Sequence, residues 1–150
     1  MPVATLAGTQ TEPHRLLEEL IKLDYDAIEA YDAAIERLGD LEAQARLTEF
    51  RDDHERHTRN LGEHLRQMGR MPPMGPDIKR LLTKGKVVIA GLVGDLAILK
   101  AMRSNEDDTN VAYERALGQD LPLMLRETLL ENHADEKRHR AWIEEKLSRM

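Results

Sequence analysis

The chain has no cysteine, few aromatic residues (one Trp, three Tyr and one Phe in 150 positions) and no long apolar run. Without a thiol there is no disulfide framework, no thiolate zinc site and no cysteine-ligated iron–sulfur or rubredoxin centre in this chain. Any bound metal must therefore be held by nitrogen and oxygen. The scarcity of aromatic and β-branched residues removes the usual strand signal and leaves strong helix formers, whose apolar spacing predicts an all-α domain. The most apolar stretch, 87–99, falls short of the roughly 17–25 residues of a membrane span and contains Asp95, so no membrane association is expected. A basic surface is missing too. Asp and Glu outnumber Lys and Arg 28 to 22, a net charge of -6, which argues against a nucleic-acid partner. Residues 1–12 carry no basic segment followed by an apolar run, so they read as a flexible N-terminal arm, with the cytoplasm as the default compartment.

What the chain does have is a spacing. Asp24, Tyr31, Asp53, His54, Arg56 and His57 recur 82 positions later as Glu106, Tyr113, Asp135, Glu136, Arg138 and His139. An acid seven residues before a tyrosine, then a charged Asp-x-x-Arg-His segment, reads as two copies of one helical hairpin. A chain of this length supports one domain with a sizeable core. The expected layout is a hairpin at 13–69, a crossover at 70–94 and a second hairpin at 95–148.

Helix punctuation agrees with that division. Thr11 and Pro13 suit a helix start and Gly39 a stop; Asp40 caps a second helix that ends at Gly69 and the Pro72–Pro73 pair. The third helix is expected from Asp95 to Gly118, and the fourth has Pro122 in its first turn. The inner stripes step by three or four: Leu17, Leu20, Asp24, Ile28, Tyr31, Ile35, Leu38; Leu47, Phe50, His54, His57, Leu61, Met68; Leu99, Met102, Glu106, Asn110, Tyr113, Leu117; Leu125, Leu129, Asn132, Glu136, His139, Ile143, Leu147. The stretch 70–94 is too long for a tight turn, and 77–90 suits an extra helix before Gly91 and Gly94.

Ionisable residues on apolar stripes need compensation, because a buried carboxylate is costly unless it is paired or coordinates a metal. His54 with His57, and Glu136 with His139, lie three apart on one helix face, about 5–6 Å from each other. One acid from each of two helices, with two such pairs from the others, is the arrangement that encloses metal ions in carboxylate bundles.

On these residues the chain resembles the ferritin-like superfamily of di-iron and di-manganese proteins, over about 13–148. Asp135-Glu136-Lys137-Arg138-His139 looks like the Asp-Glu-x-Arg-His signature of such sites, and the acid-x6-Tyr spacing at Asp24/Tyr31 and Glu106/Tyr113 is similar to that of ferritins and rubrerythrins. More narrowly, it resembles a group of small uncharacterised bacterial ferritin-like proteins. The resemblance implies a four-helix bundle with one long crossover, and a metal site of Asp24, His54, His57, Glu106, Glu136 and His139. In it Asp53 and Asp135 accept histidine N–H groups, and Tyr31 and Tyr113 stand just outside the ligands. It implies iron, with manganese as the alternative. It departs from the pattern at His54, where Glu is expected, and at Asp24, one methylene short. Either His54 ligates directly or one metal position is weakened.

The leading expectation is Fe(II) oxidation or the disposal of O2 or peroxide, with an external electron donor and a homodimeric state. The rival is a metal-free or metal-tuned stress-related interaction module that keeps the packing and lacks the chemistry. A substrate hydroxylase would need an apolar pocket beside the metals, for which Phe50 offers little. His14, His64 and His133 are assigned to structure rather than ligation, and Met68, Met71 and Met74 to loop or core filling.

Overall fold

The computed structural model describes residues 5–75 and 89–150. Among the described residues four long helices are found: α1 (Pro13–Arg37), α2 (Leu41–Gln67), α3 (Asp95–Leu117) and α4 (Leu123–Ser148). No strand occurs among the described residues, and the fold is an all-α four-helix bundle. The extra helix expected over 77–90 falls almost wholly outside the described residues.

Each helix begins and ends for a local reason. Asp40 caps α2 as expected, its carboxylate accepting the Ala43 N–H at 2.8 Å. Gly69 ends the same helix in the left-handed region, φ 75°, where Gly69 N–H donates to the Arg66 carbonyl and Arg70 N–H to that of Leu65. That pair is a Schellman cap, which favours glycine because it carries no Cβ. The expectations at the other starts need small corrections. Glu12, not Thr11, precedes α1, and it makes no side-chain cap; Pro13 sits at N1, where no N–H is required. Pro122 precedes α4 rather than lying in its first turn. Asp95 opens α3 and accepts the N–H groups of Gly39 and Asp40 at 2.8 and 2.9 Å, so one carboxylate binds the α1–α2 turn to the start of α3.

That contact fixes the topology. The end of α1 lies beside the start of α3, so α1 and α3 run antiparallel. Between α2 and α4, His64 meets Thr128, Asn60 meets Asn132 and Lys146 reaches Asp40, which makes this pair antiparallel as well. The start of α3 is thus at the same end as the start of α2, so Met68 and Gly94 lie at opposite ends of the bundle. The main packing is α1 on α2 and α3, and α4 on α3 and α2.

The apolar interior is divided in two. One cluster, around Leu16, Leu17, Leu20, Leu61, Leu65, Leu125 and Leu129, fills one end. The other, around Ala34, Leu47, Phe50, Ile98, Leu99, Met102 and Ile143, fills the opposite end. Each fully buried Leu or Phe contributes about 1.5–3 kcal/mol, so these two layers supply the main apolar driving force of the fold. Between them lies a layer of charge.

Two expectations about the periphery are corrected. Met68 is not an inner residue: it is 39% exposed at the end of α2, and Met71 and Met74 are more exposed still. The arm is also not loose where it is described. Thr5 and Ala7 are buried, Arg115 donates to the Thr5 carbonyl at 2.5 Å and Gln119 to that of Gly8 at 3.2 Å. A Cβ at Gly8 would lie 2.2 Å from the Ala112 carbonyl oxygen; only glycine permits so close an approach to α3.

Candidate metal centre

All six residues singled out from the sequence meet in the layer between the two apolar clusters, each no more than 1% exposed. Asp24 comes from α1, His54 and His57 from α2, Glu106 from α3, and Glu136 and His139 from α4. Helical periodicity brings them together, because each occupies a core position on its stripe where an aliphatic residue would otherwise sit.

They form two groups in which every residue offers one ligand atom within 4.8 Å of the others: Asp24, His54, His57 and Glu136; and His54, Glu106, Glu136 and His139. His54 and Glu136 belong to both. In the first group His54 Nδ1 lies 2.7 Å from Asp24 Oδ1 and 3.4 Å from Glu136 Oε1. His57 Nδ1 lies 3.2 Å from each of the same two oxygens. In the second, His139 Nδ1 stands 3.5 Å from Glu106 Oε1 and 3.7 Å from Glu136 Oε2, and His54 Nε2 is 3.4 Å from Glu106 Oε1.

The histidines are aimed from behind. His57 Nε2 contacts Asp135 Oδ2 at 2.9 Å and His139 Nε2 contacts Asp53 Oδ2 at 2.8 Å, so both rings point Nδ1 into the cluster. These pairings cross the bundle: the aspartate on α4 orients the histidine on α2, and the reverse. Arg56 donates to Asp53 and Asp135 at 2.8 and 2.7 Å, and Arg138 donates to the same two at 2.6 and 3.1 Å. Two acids and two arginines thus close one side of the layer. Phe50 stacks on the His139 ring with centroids 4.3 Å apart.

The tyrosines cross in the same way. Tyr31 donates to Glu106, not to Asp24 on its own helix, and Tyr113 donates to Asp24 Oδ2 at 2.9 Å. Sequence reasoning missed Thr109, whose hydroxyl lies 3.2 Å from Glu106 Oε2 and 3.0 Å from Glu136 Oε2. The available signal was a hydroxyl three residues after Glu106, one turn along the same face. Asn110, expected on the inner stripe but given no role, donates to the backbone carbonyls of Glu106 and Glu136. His14, His64 and His133 lie outside both groups; His133 stacks on Tyr113.

Electrostatically the layer is a balance of charge. Burial pulls the His57 imidazole down, but Asp24, Asp135 and Glu136 outweigh it and push it up to about 12. Burial likewise opposes Glu106 and Asp53 at His139, which is pushed up to about 11. Burial raises the Asp24 carboxyl, yet His57 and His54 hold it below its usual value. The Tyr31 and Tyr113 phenols are pushed well up, first by burial and then by Glu106 and Asp24 respectively.

Not every atom is matched within the layer. Glu136 Oε1 and His139 Nδ1 are buried without a hydrogen-bond partner, one in each group. An unmatched buried oxygen or nitrogen costs about 1–3 kcal/mol, and a cation is the partner that would satisfy both. The donors are carboxylate oxygen and imidazole nitrogen, the set that divalent Fe, Mn, Co and Zn accept. The residues fit a metal ion.

A family model described as a domain of unknown function, DUF2383, matches residues 13–119. The match takes in Asp24, His54, His57 and Glu106 and stops before α4, which carries Glu136 and His139. No curated protein matches the chain. No helix among the described residues is long and apolar enough to cross a membrane.

Proposed function

The chain belongs to the DUF2383 family, and from its buried cluster we propose a non-haem di-metal protein of the ferritin-like type, with iron as its metal and Fe(II) oxidation or O2 or peroxide removal as its activity. One observation carries this reading. Two four-residue groups share His54 and Glu136, are sealed from solvent, and each leaves a ligand atom without a hydrogen-bond partner. Both atoms stand 3.2–3.7 Å from groups of opposite charge without a well-formed hydrogen bond, and a cation would supply the missing partner.

Asp24, His57, Glu106 and His139 would each hold one metal, with His54 and Glu136 between them. Iron held there would supply electrons for the reduction of O2 or H2O2, and the carboxylates would balance the charge of the oxidised cation; manganese suits the same donors. Asp53 and Asp135 keep the Nε2 protons of His139 and His57 in place, so that Nδ1 of each ring is the donor. Tyr31, Tyr113 and Thr109 hold Glu106, Asp24 and Glu136 in orientation. The chain has no cysteine, so electrons beyond those of Fe(II) itself come from an outside donor.

A metal-free interaction module is the second reading, and one observation favours it. Three acids and three histidines compensate one another, with six nitrogen–oxygen contacts between 2.7 and 3.5 Å. Metal content per chain separates the two. After anaerobic Fe(II) loading and desalting, mass spectrometry should find iron in the wild type and none in the His57→Ala/His139→Ala double variant. A folded wild type without metal would leave the interaction module standing and sink the di-iron proposal.

A further inference from the structure

His54 belongs to both groups, yet a neutral imidazole has one nitrogen lone pair, and its two nitrogens point in diverging directions. It can complete one metal position or the other, unlike a carboxylate, whose two oxygens can each bind a cation. Its closer contact and the neighbouring hydrogen bonds choose between them. His54 Nδ1 joins Asp24 Oδ1, His57 Nδ1 and Glu136 Oε1 with nitrogen–oxygen edges of 2.7, 3.4, 3.2 and 3.2 Å. Metal–ligand bonds near 2.1 Å give a tetrahedral set edges of about 3.4 Å, so these four atoms already approach a closed set. Around Glu106 the edges of 3.4, 3.5 and 3.7 Å fit a metal as well, and the difference is the approach of His54 itself, 2.7 Å to Asp24 against 3.4 Å to Glu106.

Competing hydrogen bonds sharpen the difference. Tyr31 donates to Glu106 Oε1, and the Thr109 hydroxyl contacts Glu106 Oε2 and Glu136 Oε2. Both ligand carboxylates of that group are therefore partly engaged elsewhere. In the other group Tyr113 takes Asp24 Oδ2, which leaves Asp24 Oδ1 to His54 and His57, themselves ligands of that position, and Glu136 Oε1 has no hydrogen-bond partner.

We infer that His54 makes the two metal positions unequal: it completes a four-donor position with Asp24, His57 and Glu136, and leaves Glu106, Glu136 and His139 as a three-donor position with an open place. A closed four-donor set is typical of a resident ion, whereas three protein donors leave room for water or a small oxygen ligand. The Asp24 position holds the tightly kept divalent cation. The Glu106 position takes the exchangeable one, together with whatever small oxygen species reacts there. His54 keeps the proton on Nε2 and directs it to Glu106. The inference rests on the metal-binding proposal and deepens it.

The test is a calorimetric and visible-absorption titration of the full-length, metal-free chain with Co(II), a probe that needs no turnover. The first equivalent should bind at least about tenfold more tightly than the second, since a missing ligand costs no less than the roughly 10–100-fold of a lost outer partner. It should also develop the intense visible bands of four-coordinate Co(II). His139→Ala should abolish the second step and leave the first with its bands. His54→Glu restores a group with two donor oxygens, and should close the gap between the steps and weaken the bands. If His54→Glu fails to fold, the wild-type gap and His139→Ala still decide the matter. Two equal steps in the wild type, or a His139→Ala variant that loses the first step, would overturn the inequality while leaving the metal site intact. No binding at all would overturn the metal reading itself.

Discussion

Replacing Asp135 by Asn should weaken the metal position of His57, on another helix, while replacing Asp53 by Asn should weaken that of His139 and spare His57, four residues away on its own helix. The crossing follows from the contacts: His57 Nε2 lies 2.9 Å from Asp135 and His139 Nε2 lies 2.8 Å from Asp53. Loss of a carboxylate that orients a ligand histidine typically costs 10–100-fold in metal affinity, or about 1.4–2.7 kcal/mol. The remaining contacts of these aspartates are with Arg56 and Arg138, whose side chains are 45% and 51% exposed. Such pairs are each worth about 0–1 kcal/mol, and a 150-residue domain loses about 2–4 °C of melting temperature per kcal/mol. Each variant should therefore lose metal affinity strongly, and in chelator it should lose mainly its bond to the buried histidine, about 1.5–3 kcal/mol for a hydrogen bond to a charged group. Zn(II) calorimetry on both variants, with melting curves in chelator, reads the two effects separately. The reasoning fails if either change leaves metal affinity untouched, or if Asp53→Asn acts on the Asp24–His57 position instead.

Three further expectations concern the charged layer and its flanks. In the metal-free protein burial pulls the His54 imidazole down, but Glu136, Asp24 and Glu106 outweigh it and push it from 6.5 up to about 9. Burial raises the Glu106 carboxyl, but His139 and His54 hold it well below its ordinary 4.5. The histidine contribution is complete below pH 6.5 and lost as pH rises through about 9, while the carboxylate contribution is complete above pH 4.5 and lost on acidification. Chelated protein should melt highest between these limits, and a maximum above about pH 8 would contradict the charge balance. Leu16→Ala, at a fully buried position two turns from Asp24, should cost about 2–5 kcal/mol in urea unfolding with unchanged metal content; a loss below about 1 kcal/mol would mean that this end of the core is not packed. Gly8→Ala, at φ 90° and against the Ala112 carbonyl, should release the arm to limited proteolysis while shifting the unfolding midpoint by less than about 1 kcal/mol. Undiminished protection of the arm would show that its packing does not depend on that close approach.

The helices and the membership of the buried cluster were legible because both follow from local rules. Asp40 and Gly69 act at the ends of α2 through their own backbone neighbourhoods, and a polar residue on an apolar stripe must enter the core whichever helix it faces. Who meets whom was not legible, since helical periodicity gives a residue's face but not its partner across the bundle. Hence Tyr31 serves Glu106 rather than Asp24, Asp53 serves His139 rather than His57 on its own helix, and Thr109 joins Glu106, one turn away, to Glu136 on another helix. The arm was misjudged for a similar reason: a polar, glycine-containing segment reads as loose until α3 supplies a surface that only Gly8 fits. His54 lies at the boundary between the two kinds of information. Its identity, a histidine at the place where the repeat puts Glu136, could be read from the sequence. Its consequence depends on direction, because Nδ1 is directed at Asp24 and Nε2 at Glu106. A carboxylate at that place would offer an oxygen to each side, whereas an imidazole must choose, and the asymmetry of the layer follows from that choice.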